Sequence, residues 1–438
     1  MSDWVTLGLF CAMLLFCIMQ DISILYALLA GLLLFWFYGR SKGLAWKKLA
    51  ALSFDGVKTV KNILIAFMLI GVLTAFWRAA GTIAMIVCYA STLIRPSVFL
   101  LMTFLLNCVV SVLTGTSFGT GATMVVICAT MGLALNIDIR LIGGAVLSGA
   151  FFGDRCSPVS TSALLVSELT GTNIFDNIRR MLRSALIPFL LSCGVYVMLG
   201  FFTTPSHDLL DLRGIFAREF TLHWLTLLPA AVILLLSFCR VNVKAAMAFS
   251  IVCAIPVCLF LQDISPAELL RIALTGFTAG DAAVGSMLSG GGIVSMLKVT
   301  GIVCISSSYS GIFKETGLLN GAKAAIEHIA KKATDFTSLT FTSALASMVA
   351  CNQTLAVMLT HQLCGALNRD DSDFALDLED SVIVIAPLVP WSIAGGVPLG
   401  AIGAPAASIL FACYLYLLPL WRLALSFAGK RVLMRESQ

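Results

Sequence analysis

Residues 96–137 form a run of 42 positions without Asp, Glu, Lys or Arg, and residues 381–421 form another of 41. A helix crosses the hydrocarbon core of a bilayer in about 20 apolar residues, so each run is too long for one helix. Further uncharged stretches at 184–206, 220–239 and 245–262 add candidate spans. Only 12% of the 438 residues are charged and 59% are hydrophobic, whereas soluble domains carry roughly a quarter of their residues charged. The expected fold is an all-α polytopic membrane protein, one transmembrane domain over residues 1–438 with ten to twelve segments, and its constant partner is the lipid bilayer.

Several other classes are disfavoured. Asp3 precedes the first apolar run, which lacks the basic residue a cleaved signal peptide needs, so residues 5–38 read as retained segments. The 14 cysteines contain no CxxC pair and read as small packing residues. His207, His223, His328 and His361 are widely separated, no HExxH occurs, and no metal site is expected. The absence of GxxxxGK[ST] disfavours ATP-driven pumping, and a net charge of +5 without an aromatic-interleaved basic patch disfavours nucleic acid. No carbonyl filter such as TVGYG suggests a channel, no nucleophile–base constellation suggests an enzyme, and no cofactor is expected beyond ions that are coupled or carried.

Basic residues gather in Arg40, Lys42, Lys47 and Lys48; Arg179, Arg180 and Arg183; Arg240 and Lys244; and Lys323, Lys331 and Lys332. Cytoplasmic loops collect such clusters, which assigns both termini to the cytoplasm, residues 204–219, 263–271 and 369–380 to the outside, and the protein to the cytoplasmic membrane. Polar breaks interrupt the apolar runs in pairs. GTSFGT at 115–120 precedes GDRCSPVSTS at 153–162, and CNQT at 351–354 precedes PLVPWSIAGG at 387–396; Thr120 to Pro158 and Asn352 to Pro390 both span 38 positions. This spacing suggests two copies of one unit, near 60–205 and 290–430, with an odd number of crossings between them and hence inverted. Inverted repeats with discontinuous helices are a recurrent plan of secondary transporters, with the site near the membrane midplane.

Irregular backbone at membrane depth must be satisfied by protein or cavity water, so the breaks point to one internal cavity. Asp154 lies in the first half's second break with Ser157, Ser160, Thr161 and Ser162 beside it. An intramembrane acid among hydroxyls suits Na⁺ or a proton; a solvated turn formed with Arg155 is the alternative. Thr116, Ser117 and Thr120, with Asn352, Gln353 and Thr354, supply neutral oxygens for a hard cation or, alternatively, small-residue helix packing. Lys298 either sits inside the membrane, pairing with Asp154 or relaying a proton, or snorkels to an interface. Asp281 precedes the glycines 290–292 and belongs to a re-entrant loop or to the outside.

Together GTSFGTG, GAFFGDRCSP, SGGGIVSM and CNQTLAVML resemble the NhaC family of Na⁺/H⁺ antiporters, within a superfamily of inverted-repeat ion transporters. The resemblance covers most of the chain and implies a cytoplasmic-membrane exchanger working by alternating access; its members include Na⁺/H⁺ and malate/lactate exchangers. The GDxxSP pattern matches at Gly153, Asp154, Ser157 and Pro158, but Thr161 stands where many members carry a second acid, and Lys298 stands where a neutral or aromatic residue is usual. Two functions follow. One is Na⁺/H⁺ antiport with Asp154 as the shared ligand. The other is an H⁺- or Na⁺-coupled carrier of a small organic anion or amino acid, with Lys298 meeting the anionic group. A homodimer is compatible with either.

Overall fold

The computed structural model describes residues 3–436 except 21, 94–95, 116, 122–123, 159, 203–211, 240, 282–283, 286–287, 319–333, 351 and 366–369. Among the described residues the regular structure is helical, and the one β contact is an isolated bridge between Phe277 and Gly290. The protein is an all-α polytopic membrane protein. Ile174–Phe202 and Lys244–Leu261 are each long and apolar enough to span a bilayer. Two helix pairs are long and apolar enough together but are bent at a break, as a broken span or a re-entrant loop is: Leu64–Ala79 with Thr82–Tyr89 by 66°, and Asp371–Leu388 with Ile393–Ala401 by 54°. The longest helix separates its faces by helical period: Ala185, Ser192, Tyr196 and Gly200 are buried, while Leu186, Leu190, Met198 and Phe201 are exposed apolar side chains suited to lipid.

Two stretches of chain run through the same series of elements. The first is Phe99–Thr114, a break, Ser117–Gly121 with Met124–Ala134, Ile139–Cys156, a second break, Thr161–Thr170 and the long Ile174–Phe202. The second is Asp335–Ala350, a break, Gln353–Cys364, Asp371–Glu379 continued through Val382–Ile385 and the 3-10 turn Ala386–Leu388, a second break, Ile393–Ala401 and the long Cys413–Glu436, with an additional 3-10 helix, Ala406–Phe411, inserted before the last and one short helix fewer after the first break. The short helices exchange partners, with Ser117–Gly121 packing on Ile393–Ala401 and Thr161–Thr170 on Gln353–Cys364. Upstream, Leu297–Thr316 packs on Ile24–Ser41 and Trp46–Thr59, while Lys61–Ala79 packs on Val243–Pro256 and Pro266–Thr275.

The breaks have local causes. Gly115 ends its helix in the left-handed region at φ 67°, where a glycine is unstrained. Ser157 is extended ahead of Pro158, as the steric demand of a following proline requires. Ser160 then caps the next helix by accepting the amides of Ser162 and Ala163, and Ser392 caps Ile393–Ala401 through Ala394. Each serine stands two residues after its proline, Pro158 or Pro390.

One topological expectation is corrected. Over its described residues, 370–380, the stretch assigned to an outer loop is not a loop: Asp371–Glu379 is helical, and Asp377, Glu379 and Asp380 are buried within the protein. Asp377 and Asp380 are drawn inward because two arginines distant in sequence, Arg155 and Arg422, meet them there.

Close packing holds this region together. Ile139–Cys156 lies along Phe99–Thr114, and a Cβ at Gly149 would come within 2.5 Å of the Phe104 carbonyl oxygen, one at Gly153 within 2.3 Å of the Val112 nitrogen. Small residues four apart let two backbones approach in this way. Gly153→Ala is therefore expected to separate the two helices and lower stability by roughly 1–3 kcal/mol, read as a lower melting temperature of the purified protein, with Gly194→Ala, where a Cβ meets nothing within 4 Å, as the silent control.

Candidate functional site

Asp154 occupies the last turn of Ile139–Cys156, just ahead of the second break, and is 3% exposed. The Ser160 hydroxyl donates to its Oδ1 at 3.1 Å, and the amide nitrogen of Gln353 donates to its Oδ2 at 3.2 Å. Gln353 also reaches the Ile383 carbonyl at 3.4 Å, and Ser162 donates to the main-chain carbonyl of Asp154 at 3.2 Å. The carboxylate thus joins the two helical series: Ser160 caps Thr161–Thr170, and Gln353 opens Gln353–Cys364. Helix amino termini carry partial positive charge and favour an anion. Both of these helices begin beside Asp154.

The neighbouring side chain turns the other way. Arg155 is fully buried and ion-pairs with Asp380. Its remaining donors meet the carbonyls of Glu379 at 3.2 Å and Met181 at 3.1 Å, the Ser184 hydroxyl at 2.8 Å and the Tyr414 hydroxyl at 3.3 Å. The pairing continues outward, Asp380 to Arg422 at 2.8 Å and Arg422 to Asp377 at 2.6 Å. Arg155 is therefore committed, and the hydrogen-bond donors found on the Asp154 carboxylate are neutral ones, Ser160 and Gln353.

The other candidates separate into groups. Ser157 is buried and donates to the Val112 carbonyl at 2.6 Å, fastening the break to the adjacent helix. Asn352 caps Gln353–Cys364 by accepting the Leu355 amide at 3.1 Å. Ser117 and Thr120 are buried on the short helix that packs against Ile393–Ala401, with the Thr114 and Thr120 hydroxyls 3.4 Å apart. Thr116 lies outside the described residues. Thr161 and Thr354 are exposed, each in the first turn of its helix. Lys298 is exposed at the second position of Leu297–Thr316. Asp281 belongs to a separate polar group, with Arg218 at 3.7 Å and its amide donating to Glu219 at 3.0 Å.

Sequence reasoning passed over Glu379, Asp380, Asp377 and Arg422. Two signals point to them: Asp373, Asp377 and Asp380 recur at helical spacing, and Arg155 and Arg422, beside apolar segments, each require an anion. A second acid near Asp154 does exist, since Glu379, supplied by the other helical series, lies within electrostatic range of it.

The sequence model of the Na⁺/H⁺ antiporter family matches residues 3–170 and 152–430. The chain belongs to that family. Among its relatives are the Na⁺/H⁺ antiporter NhaC of Alkalihalophilus pseudofirmus, 26% identical over 90% of this chain and 87% of the relative, and the malate-2H⁺/Na⁺-lactate antiporter of Bacillus subtilis, 27% identical over 93% and 89%. The arginine/ornithine antiporter ArcD of Halobacterium salinarum is 28% identical over 90% of this chain and 84% of its own.

Within this family member the buried ion chain is the most exacting part of the site. Removing one partner of a buried pair leaves the other charge uncompensated and costs about 3–5 kcal/mol. Arg155→Ala is expected to lose stability on that scale in denaturant or thermal unfolding of the purified protein. Exposed Arg180→Ala, which breaks the surface pair with Asp373 at 2.8 Å, is expected to cost less than about 1 kcal/mol.

Proposed function

We propose that the protein is a secondary active antiporter that exchanges Na⁺ for H⁺ across the cytoplasmic membrane at the Asp154 carboxylate. The observation that carries this reading is a buried acid whose neighbouring arginine is fully engaged elsewhere and whose own donors are neutral. A carboxylate in such a place is neutralised either by a proton or by a small cation. One carboxylate that accepts either in turn, but not both, couples their movements by mutual exclusion. Ser160 and Gln353 orient it, and the neutral oxygens of the two breaks, on Ser162, Ser117, Thr120 and Asn352, are ligands of the type a hard cation takes.

The matched order of helices favours two repeats, near 60–205 and 290–430, built as inverted copies around this site, with both termini on the cytoplasmic face. The relatives that carry malate, lactate, arginine or ornithine keep an organic cargo as the competing class. An organic anion needs an available base, however. Arg155 is spent on Asp380, and Lys298 is exposed at a helix start. Sodium exchange is the reading these positions favour.

Proteoliposomes with an internal pH dye test it. A Na⁺ gradient is expected to drive proton movement of opposite direction, and Asp154→Asn is expected to abolish it while leaving a folded protein. Gln353→Ala removes one hydrogen bond to the carboxylate, worth about 1.5–3 kcal/mol, so the apparent affinity for Na⁺ is expected to fall by about tenfold to a hundredfold. Wild-type vesicles that show no Na⁺-linked proton flux, yet are stabilised by a carboxylate or amino acid solute in a melting screen, would replace this reading with the organic-solute one.

A further inference from the structure

Glu379 is fully buried, and neither of its carboxylate oxygens has a hydrogen-bond partner among the described residues. Arg155 touches only its main-chain carbonyl. The charged groups around it are Asp154 and Arg155 on one helix, Asp377 and Asp380 on its own segment, and Arg422 on Cys413–Glu436, with the Tyr414 hydroxyl beside Arg155. Asp377 and Asp380 are the acids the two arginines contact. Asp154 and Glu379 are therefore the surplus, two acids without a matching base. An ionised carboxylate buried without donors is far costlier than a neutral one and takes up a proton instead.

We propose that Glu379 holds a stationary proton that balances the buried charge while Asp154 alternates between H⁺ and Na⁺. This rests on the antiport reading at Asp154. A proton and a sodium ion contribute the same charge there, so the cluster is neutral on both halves of the cycle only if Glu379 keeps its proton throughout. One proton then moves per sodium. Glu379 is a positioning residue: it acts by leaving Arg155 to Asp380 and by adding no charge beside Asp154. A cavity of about 570 Å³, lined by Asp335, Asp373, Asp377 and Arg422 among others, reaches the outer end of the ion chain. Through it, alkaline solvent can approach the cluster. Once ionised, Glu379 would compete with Asp380 for Arg155.

The test uses the purified full-length protein and its Glu379→Gln variant, a neutral isostere. In weakly buffered detergent solution with a pH dye, Na⁺ saturation is expected to release one proton per protein from both forms. In vesicles, the alkaline fall of Na⁺-driven proton flux is expected to move up by about one pH unit or more in the variant. Two protons released by the wild type and one by the variant would overturn the proposal, making Glu379 a carrier of a transported proton.

Stability provides a readout independent of transport. A folded state that binds one more proton than the unfolded state loses stability as pH rises, so the wild-type melting temperature is expected to fall with pH more steeply than that of the variant. A Glu379→Gln protein that fails to fold, or melts lower at neutral pH, would mean an ionised Glu379 that Arg155 needs, which also overturns the proposal. If the wild type releases no proton on Na⁺ addition, the antiport reading fails, and the pH dependence of melting still decides the state of Glu379.

Discussion

Arg155 is a guanidinium held without access to solvent, and the region around Asp154 is organised by the need to satisfy it. Arginine offers five N–H donors and no acceptor, and taking such a charge out of water costs several kcal/mol before anything is recovered. Recovery requires parts of four helices at once: its own Ile139–Cys156, Met181 and Ser184 of Ile174–Phe202, Glu379 and Asp380 at the end of Asp371–Glu379, and Tyr414 of Cys413–Glu436. The two helical series are thereby joined by a contact between residues 225 positions apart. The same contact turns the guanidinium away from Asp154, whose carboxylate keeps the neutral donors Ser160 and Gln353.

The breaks depend on a second constraint, that backbone amides at helix starts find acceptors where no water is assured. Ser160, Asn352 and Ser392 meet it, each accepting a main-chain amide of the helix it begins. Two of these helices start at Asp154, so the residues that repair the interrupted backbone also set the electrostatic environment of the site. Ser160 does both with one oxygen, accepting the amides of Ser162 and Ala163 and donating to Asp154.

Much of this was legible in the amino-acid order because it depends on local features. Uncharged run length requires membrane helices, Gly115, Pro158 and Pro390 mark where they stop, and Asp154 stands out as a lone acid beside a break. Side-chain direction was less legible: Thr161 and Ser162 are adjacent hydroxyls, yet Thr161 is exposed while Ser162 reaches the Asp154 carbonyl. The apolar neighbours of Lys298 leave burial and an interfacial position equally open; it sits in the first turn of its helix and is exposed. The acids at 377–380 were the largest miss. A dense acidic stretch beside a membrane segment ordinarily means a solvated loop, and only the tertiary approach of Arg155 and Arg422 makes burial favourable. The second breaks share one physical feature, a serine cap two residues after the proline.

Two contacts of different strength therefore cross between the helical series. Gln353 to Asp154 is one neutral donor on a carboxylate at 3.2 Å, worth about 1.5–3 kcal/mol. Arg155 to Asp380 is a buried ion pair whose separation leaves two charges uncompensated, a cost of about 3–5 kcal/mol. A conformational change that opens the Asp154 site takes the cheaper route when it parts Gln353 from Asp154 and keeps Arg155 on Asp380.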